Sequence, residues 1–307
     1  MNLFRRAWPH FWKFLRYAWA VLFRAGVKYD ETDAEQCAAS FAYYAFFALF
    51  PLMVLLITIG THFLGNQEAA AKKITEEITA QTIKKYIPVD AATSEIMVRT
   101  VDNVVASRGR AGFIAFLVLS WSALRFFQSL VRGVNRAWGT KEYSWWRLPI
   151  KNLFMAGILA SALFLGIVLP AILNQVASVA KWWLGIDEVF VNNVFNLFLL
   201  VLPPLVLLYG FTMFFIFAPR RRTTLREVWW PAVFTTLGLD VLMRLFTLYT
   251  TRFADFQSLY GTFGSVIAVL LWIYLSGSII IFGACLAAAQ YEINMSLSDQ
   301  SESEQAR

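Results

Sequence analysis

Histidine, cysteine and charge are all scarce in this chain of 307 residues, which has 2 His, 2 Cys and only 15% charged residues. Metal-dependent hydrolysis needs clustered His, Cys or carboxylate ligands, and His10 and His62 lie far apart in sequence. No ligand set emerges, so neither a metal nor any other cofactor is expected. A phosphate-cradling Gly-rich loop with its Lys is missing, as is a Ser in a G-x-S-x-G context. These absences argue against an ATP-driven pump and against acyl transfer, and the chain reads as a non-enzyme. Cys37 and Cys285 fall near the cytoplasmic ends of their predicted helices, a reducing environment, so no disulfide is expected.

What the chain has in abundance is apolar and aromatic surface, 58% hydrophobic and 17% aromatic. Soluble domains run near half apolar and about a quarter charged, so water is not the main solvent here. Apolar runs of about 20 residues span the hydrocarbon of a bilayer. Runs of that kind occupy residues 38–64, 112–131, 152–174, 193–218, 229–250 and 263–289. The expected fold is therefore an all-α polytopic membrane protein with six transmembrane helices, forming a domain over 38–289.

Charge placement sets the expected orientation. The 27 Lys and Arg exceed the 20 Asp and Glu, and the basic residues flank the apolar runs instead of forming a nucleic-acid face. Arg132, Arg136, Lys141, Arg147 and Lys151 fill one connection, and Arg220, Arg221, Arg222 and Arg226 another, whereas the short loops on the opposite side hold only Lys181 and Arg252. The positive-inside rule then puts both termini in the cytoplasm of a multi-pass chain. Residues 65–111 form a long outside segment, where two amphipathic stripes around Pro88 suggest a periplasmic helical hairpin; a plain connection between spans fits as well.

Residues 1–37 read as a cytoplasmic interfacial amphipathic helix and linker. Trp8, Phe11, Trp12, Leu15, Trp19 and Leu22 recur at helical spacing, and Lys13, Arg16 and Arg24 interrupt the run too often for a signal peptide. Residues 290–307 are Ser- and acid-rich and read as a disordered cytoplasmic tail.

Ionisable residues inside the predicted spans mark candidate sites, because a charge in hydrocarbon needs a partner or water. Asp240 and Arg244 are four apart on one helical face, where they can pair. Thr236 and Thr247 extend the same polar stripe, which is expected to face the bundle interior. A substrate pathway and a buried structural pair both fit it. Arg125 lies nearer the cytoplasmic end and can snorkel. Pro51, Pro203 and Pro204 are candidate helix kinks in the first helix of each half; an inverted repeat and two independent kinks both explain them. The sixth span is rich in small residues, Gly277, Gly283, Ala284, Ala287 and Ala288, which suit close packing in the bundle or, less simply, association between chains.

Several segments together resemble the YihY/BrkB family of bacterial inner-membrane proteins, formerly labelled ribonuclease BN. They are Ala38–Tyr44 leading to Phe50-Pro51, Trp121 to Trp138 with Asn135, Pro219–Arg222, and Ser258–Ser265 running on to Leu271–Leu275. The family commonly reads Gly-Ala-Glu where this chain has Gly283-Ala284-Cys285, so any role of that acid is lost here. The resemblance implies six membrane helices and transport of lipids or lipid A precursors as proposed for relatives; it supplies no catalytic residues. The nuclease label conflicts with the missing metal ligands. The functional expectation is a non-ATP-driven transporter or flippase-like protein for an anionic lipid or amphiphile, with Arg220, Arg221 and Arg222 as candidate headgroup contacts. A structural or assembly protein without transport is the alternative. Membrane lipids are the expected partners, and nucleic acid is not.

Overall fold

The structure, a computed structural model, describes residues 2–64, 110–140, 188–252 and 263–305 together with parts of 147–170. Every regular element among them is a helix. They are α1 (Asn2–Glu31), α2 (Ala34–Leu64), α3 (Arg110–Ala137), α4 (Glu188–Phe217), α5 (Leu225–Arg252) and α6 (Gly264–Gln305), with a shorter apolar helical stretch at Ile150–Gly166. Each candidate span thus overlaps helical residues. Leu225–Thr250 and Val266–Gln300 are long and apolar enough to cross a membrane, with mean hydropathies of 1.4 and 2.3.

The chain divides into two compact units. Unit 1 comprises Met1–Thr32, Val134–Gly238 and Phe282–Arg307; unit 2 comprises Asp33–Gly133 and Leu239–Ile281. The break between α1 and α2 is local: Asp33 adopts a positive φ of 49°, a conformation that Asp tolerates better than most residues, and the Thr32 hydroxyl donates to the Lys28 carbonyl at 2.6 Å.

Small residues set the packing within each unit. In unit 2 a side chain at Gly277 would meet the Phe41 ring at 2.6 Å, and one at Gly133 would press on Ile281 at 3.2 Å. In unit 1 a side chain at Gly283 would collide with the Thr235 hydroxyl and with Phe215 Cζ at 2.9 Å. Phe215, Thr235, Pro231 and Cys285 are fully buried around that contact, and Ala284, Ala287, Ala288 and Ala289 are buried beside it. The small residues of α6 therefore serve packing inside the chain. Both cysteines are buried thiols outside any disulfide.

Many large apolar side chains face outward. Leu153 (71% exposed), Phe113, Leu205, Leu237 and Leu245 stand on the surface, a distribution that water penalises and lipid does not.

Residues 290–305, read as part of a disordered tail, continue α6 as helix to Gln305. Tertiary contacts outweigh the polar composition there: Asn294 accepts a hydrogen bond from the Tyr17 hydroxyl at 2.7 Å, and Glu292 pairs with Arg24 and Lys28. Farther on, Ser296, Ser298 and Ser303 turn their hydroxyls back onto carbonyls of their own helix. The hairpin expected in 65–111 lies outside the described residues.

Candidate functional site

Unit 1 gathers its polar groups where α3 and α4 end and α5 begins. Gly139 ends α3: its left-handed φ of 61° lets the Thr140 amide reach the Asn135 carbonyl (2.9 Å) and its own amide reach Arg136 (2.9 Å), the pattern of a Schellman cap. The cap positions Asn135, which is 1% exposed. Its Nδ2 donates to the Ala218 carbonyl (3.3 Å) and its Oδ1 accepts the Arg220 amide (2.8 Å), with the Thr140 hydroxyl 2.8 Å away. One amide thereby fastens the α4–α5 loop to the end of α3.

The same loop is held at its other end. Thr224 and Glu227 form half of a capping box, the Glu227 carboxylate accepting the Thr224 amide at 3.0 Å. Glu227 also binds Arg221 at 3.2 Å. The Arg221 guanidinium lies 3.5 Å from the Tyr291 ring centroid and 4.9 Å from that of Trp138. Of the three consecutive arginines, Arg221 is therefore committed inward, while Arg220 and Arg222 are exposed. Arg226, the second residue of α5, is exposed, and Trp229 (48%) and Trp230 (43%) follow it, stacked with centroids 5.0 Å apart. Basic groups beside exposed tryptophans are the usual furniture of a membrane–water boundary.

An ion-pair cluster forms at Glu292, the residue after Tyr291. Lys28, 7% exposed, places its Nζ 2.6 Å from Glu292 and donates to the Ala137 carbonyl at 3.1 Å, where a cation also meets the negative end of α3. Arg24 Nε reaches the second Glu292 oxygen at 3.1 Å. Burial raises the Glu292 carboxyl, but the hydrogen bonds and charges of Lys28 and Arg24 outweigh it and hold the group below the usual carboxylate range. Lys151 donates to the Phe217 carbonyl at the end of α4, and burial pushes its amine below the usual lysine range.

Unit 2 holds the charges that fall inside the predicted spans. Arg244 Nε donates to Asp240 Oδ2 at 3.0 Å, one helical turn apart. The side chains are 79% and 57% exposed, contrary to the expectation that they face the bundle interior. The reason lies in the neighbours: Phe246 is the buried residue on this stretch of α5, and the pair stands on the opposite side with Leu237, Val241, Leu245 and Leu248. Thr247 is exposed and donates to the Met243 carbonyl, whereas Thr236, one turn earlier, is buried against Ala232 in unit 1. The predicted stripe is thus buried at its start and exposed from Asp240 onward. In water an exposed i,i+4 pair is worth only about 0.3–0.5 kcal/mol, against about 2.5–3.5 kcal/mol for placing one charge at mid-membrane. Arg125 is exposed and donates to Gln128 at 3.2 Å. Pro203 and Pro204 lie within α4, α2 continues past Pro51, and Pro231, not singled out from sequence, lies within α5.

Sequence reasoning missed Asn135 as an organising residue, Lys28 with Glu292, and the Trp229–Trp230 pair. Tandem tryptophan at the head of an apolar run was the available signal for the last; the others depend on partners far away in sequence. Among the described residues no three His, Cys, Asp or Glu side chains come together as a metal site needs.

Comparison with known proteins agrees with this architecture. The ribonuclease-like protein YfkH of Bacillus subtilis is 28% identical over 204 residues, 66% of this chain and 73% of YfkH. The UPF0761 membrane protein Nmul_A0452 of Nitrosospira multiformis is 28% identical over 64% of this chain but only 44% of its own length. The UPF0761 membrane protein VP0125 of Vibrio parahaemolyticus is 23% identical over 70% of this chain and 66% of its own. No solved structure matches. The pattern of the family described as Virulence factor BrkB fits residues 25–307, and this all-helical membrane chain belongs to that family.

Proposed function

We propose that the protein is a multi-pass component of the bacterial cytoplasmic membrane, crossing it six times with both termini inside, which takes up the headgroup of an anionic lipid or similar amphiphile and moves it without ATP. The observation that carries this reading is the pinned α4–α5 loop. Asn135, Arg221 and Glu227 fix its backbone, so Arg220 and Arg222 project from a rigid base. Preorganised cations spend less entropy in binding a phosphate than cations on a mobile loop. The exposed Trp229–Trp230 pair near the start of the following helix suits the glycerol region just below a headgroup.

The test is lipid retention by the full-length protein in detergent after exposure to mixed phosphatidylglycerol and phosphatidylcholine, read by native mass spectrometry. Retention should favour phosphatidylglycerol and fall in the Arg220→Gln/Arg222→Gln variant. Equal retention of both lipids, unchanged by the substitutions, would defeat the reading.

A second reading, a structural or assembly protein without transport, draws on the ion-pair cluster at Glu292. Lys28, Arg24 and Arg221 are all engaged within the chain, as a scaffold requires. It predicts headgroup binding without lipid movement.

A further inference from the structure

The exposed face of α5 has a regular geometry that the lipid reading does not use. Leu237 and Arg244 are seven residues apart, and Val233, Asp240 and Thr247 recur at the same interval, interleaved with them. This is the a/d seam of a left-handed helix pair. Leu237 (59%), Asp240, Arg244 and Thr247 are exposed along it, and Val241 (52%) and Leu248 (44%) flank it. A seam of this kind with a charge pair in its middle is not a lipid-facing surface, because hydrocarbon offers the charges no partners.

The pair is also incomplete. Arg244 spends one donor, Nε, on Asp240 Oδ2, and no further partner of that guanidinium or of Asp240 occurs among the described residues. The remaining N–H groups and the second carboxylate oxygen need complementary groups at the same depth.

We propose that a second copy of this chain covers the seam, α5 against α5 in parallel. Side chains of a helix lean toward its N-terminus, so Arg244 sits at the level of Asp240 on its own helix and, across a twofold axis, at the level of the partner's Asp240. Two self-complementary pairs then close into a ring of four alternating charges. A sequence with Asp and Arg one turn apart at d and a positions satisfies itself in this way without any other protein. The proposal rests on α5 lying in the membrane and is independent of the headgroup reading.

The test uses full-length protein in phosphatidylethanolamine–phosphatidylglycerol vesicles, with Cys37 and Cys285 replaced by Ala. Leu237→Cys should form a disulfide-linked dimer on mild oxidation, whereas Leu153→Cys, at a position still more exposed but off the seam, should not. Charge reversal gives the second measurement. Asp240→Arg alone and Arg244→Asp alone should each weaken self-association about tenfold or more, and the two variants mixed should associate with each other. If both reversed chains fail to insert, the cross-link on the otherwise native chain still decides. Native chain that stays monomeric as protein density rises, cross-linking equal at 237 and 153, or association indifferent to the reversals would overturn the proposal.

Discussion

Replacing Asn135 with Ala removes the amide that ties α3 to the α4–α5 loop. The variant leaves the Ala218 carbonyl and the Arg220 amide without their side-chain partner, both in a poorly hydrated place. An orphaned buried polar group costs about 1–3 kcal/mol, so two give roughly 2–4 kcal/mol after partial rehydration of the less buried Arg220 side. At about 2–4 °C per kcal/mol this corresponds to a fall of roughly 4–16 °C in midpoint. The buried cysteines provide the assay. With Cys37 replaced by Ala, the rate at which a thiol-reactive dye labels Cys285 on heating follows the opening of unit 1 alone. Asn135→Asp should also destabilise, because a carboxylate keeps the acceptor for Arg220 but turns an oxygen toward the Ala218 carbonyl. An unchanged midpoint in both variants would refute the idea that Asn135 fixes the loop.

Glu292→Gln should lower the same midpoint and leave Lys28 without its counter-charge; the Lys28→Met/Glu292→Gln double variant should be milder than Glu292→Gln alone, since no unpaired buried charge remains. Because the Glu292 carboxyl is held below its usual range, its contribution is complete above the unfolded-state value near 4.3, by the reference for Glu, and is lost as pH falls through the lower folded value. Heating scans should therefore show a loss of midpoint below about pH 4.3 in the native chain that is smaller in Glu292→Gln. Gly283→Ala should cost about 1–3 kcal/mol by overpacking against Phe215 and Thr235, seen as earlier labelling of Cys285; normal heat resistance would show that α6 can shift at no cost. Asp240→Asn with Arg244→Gln should insert at least as well as either single change, as judged by the amount of folded protein in the membrane.

The helices were largely legible in the sequence because hydrocarbon imposes a simple rule, a long apolar run closed on its own hydrogen bonds. The Asp240–Arg244 bond was legible for a similar reason, since a separation of four fixes the contact on any helix. Its exposure was not, because which side of α5 is buried depends on the packing of Phe246 and its neighbours. The arginine triplet could be located but not divided. Arg221 turns inward only because Trp138 and Tyr291, distant in sequence, meet around it. The helical end of α6 shows the same limit: Ser and acidic residues predict disorder in isolation, and Tyr17, Arg24 and Lys28 supply the partners that order its first part. The Schellman cap at Gly139 was within reach of sequence reasoning, as Gly follows a basic helix end there.

Movement of anionic lipid without ATP is the function proposed for this membrane protein. It is tested most directly by reconstituting the full-length chain into vesicles carrying fluorescent phosphatidylglycerol and adding a membrane-impermeant reductant. Lipid movement predicts that bleaching proceeds past the outer-leaflet fraction, in the absence of nucleotide, and that Arg220→Gln/Arg222→Gln slows the inner-leaflet phase. Bleaching that stops at the outer-leaflet fraction in sealed vesicles, with the native protein shown to be inserted and folded, would contradict the account.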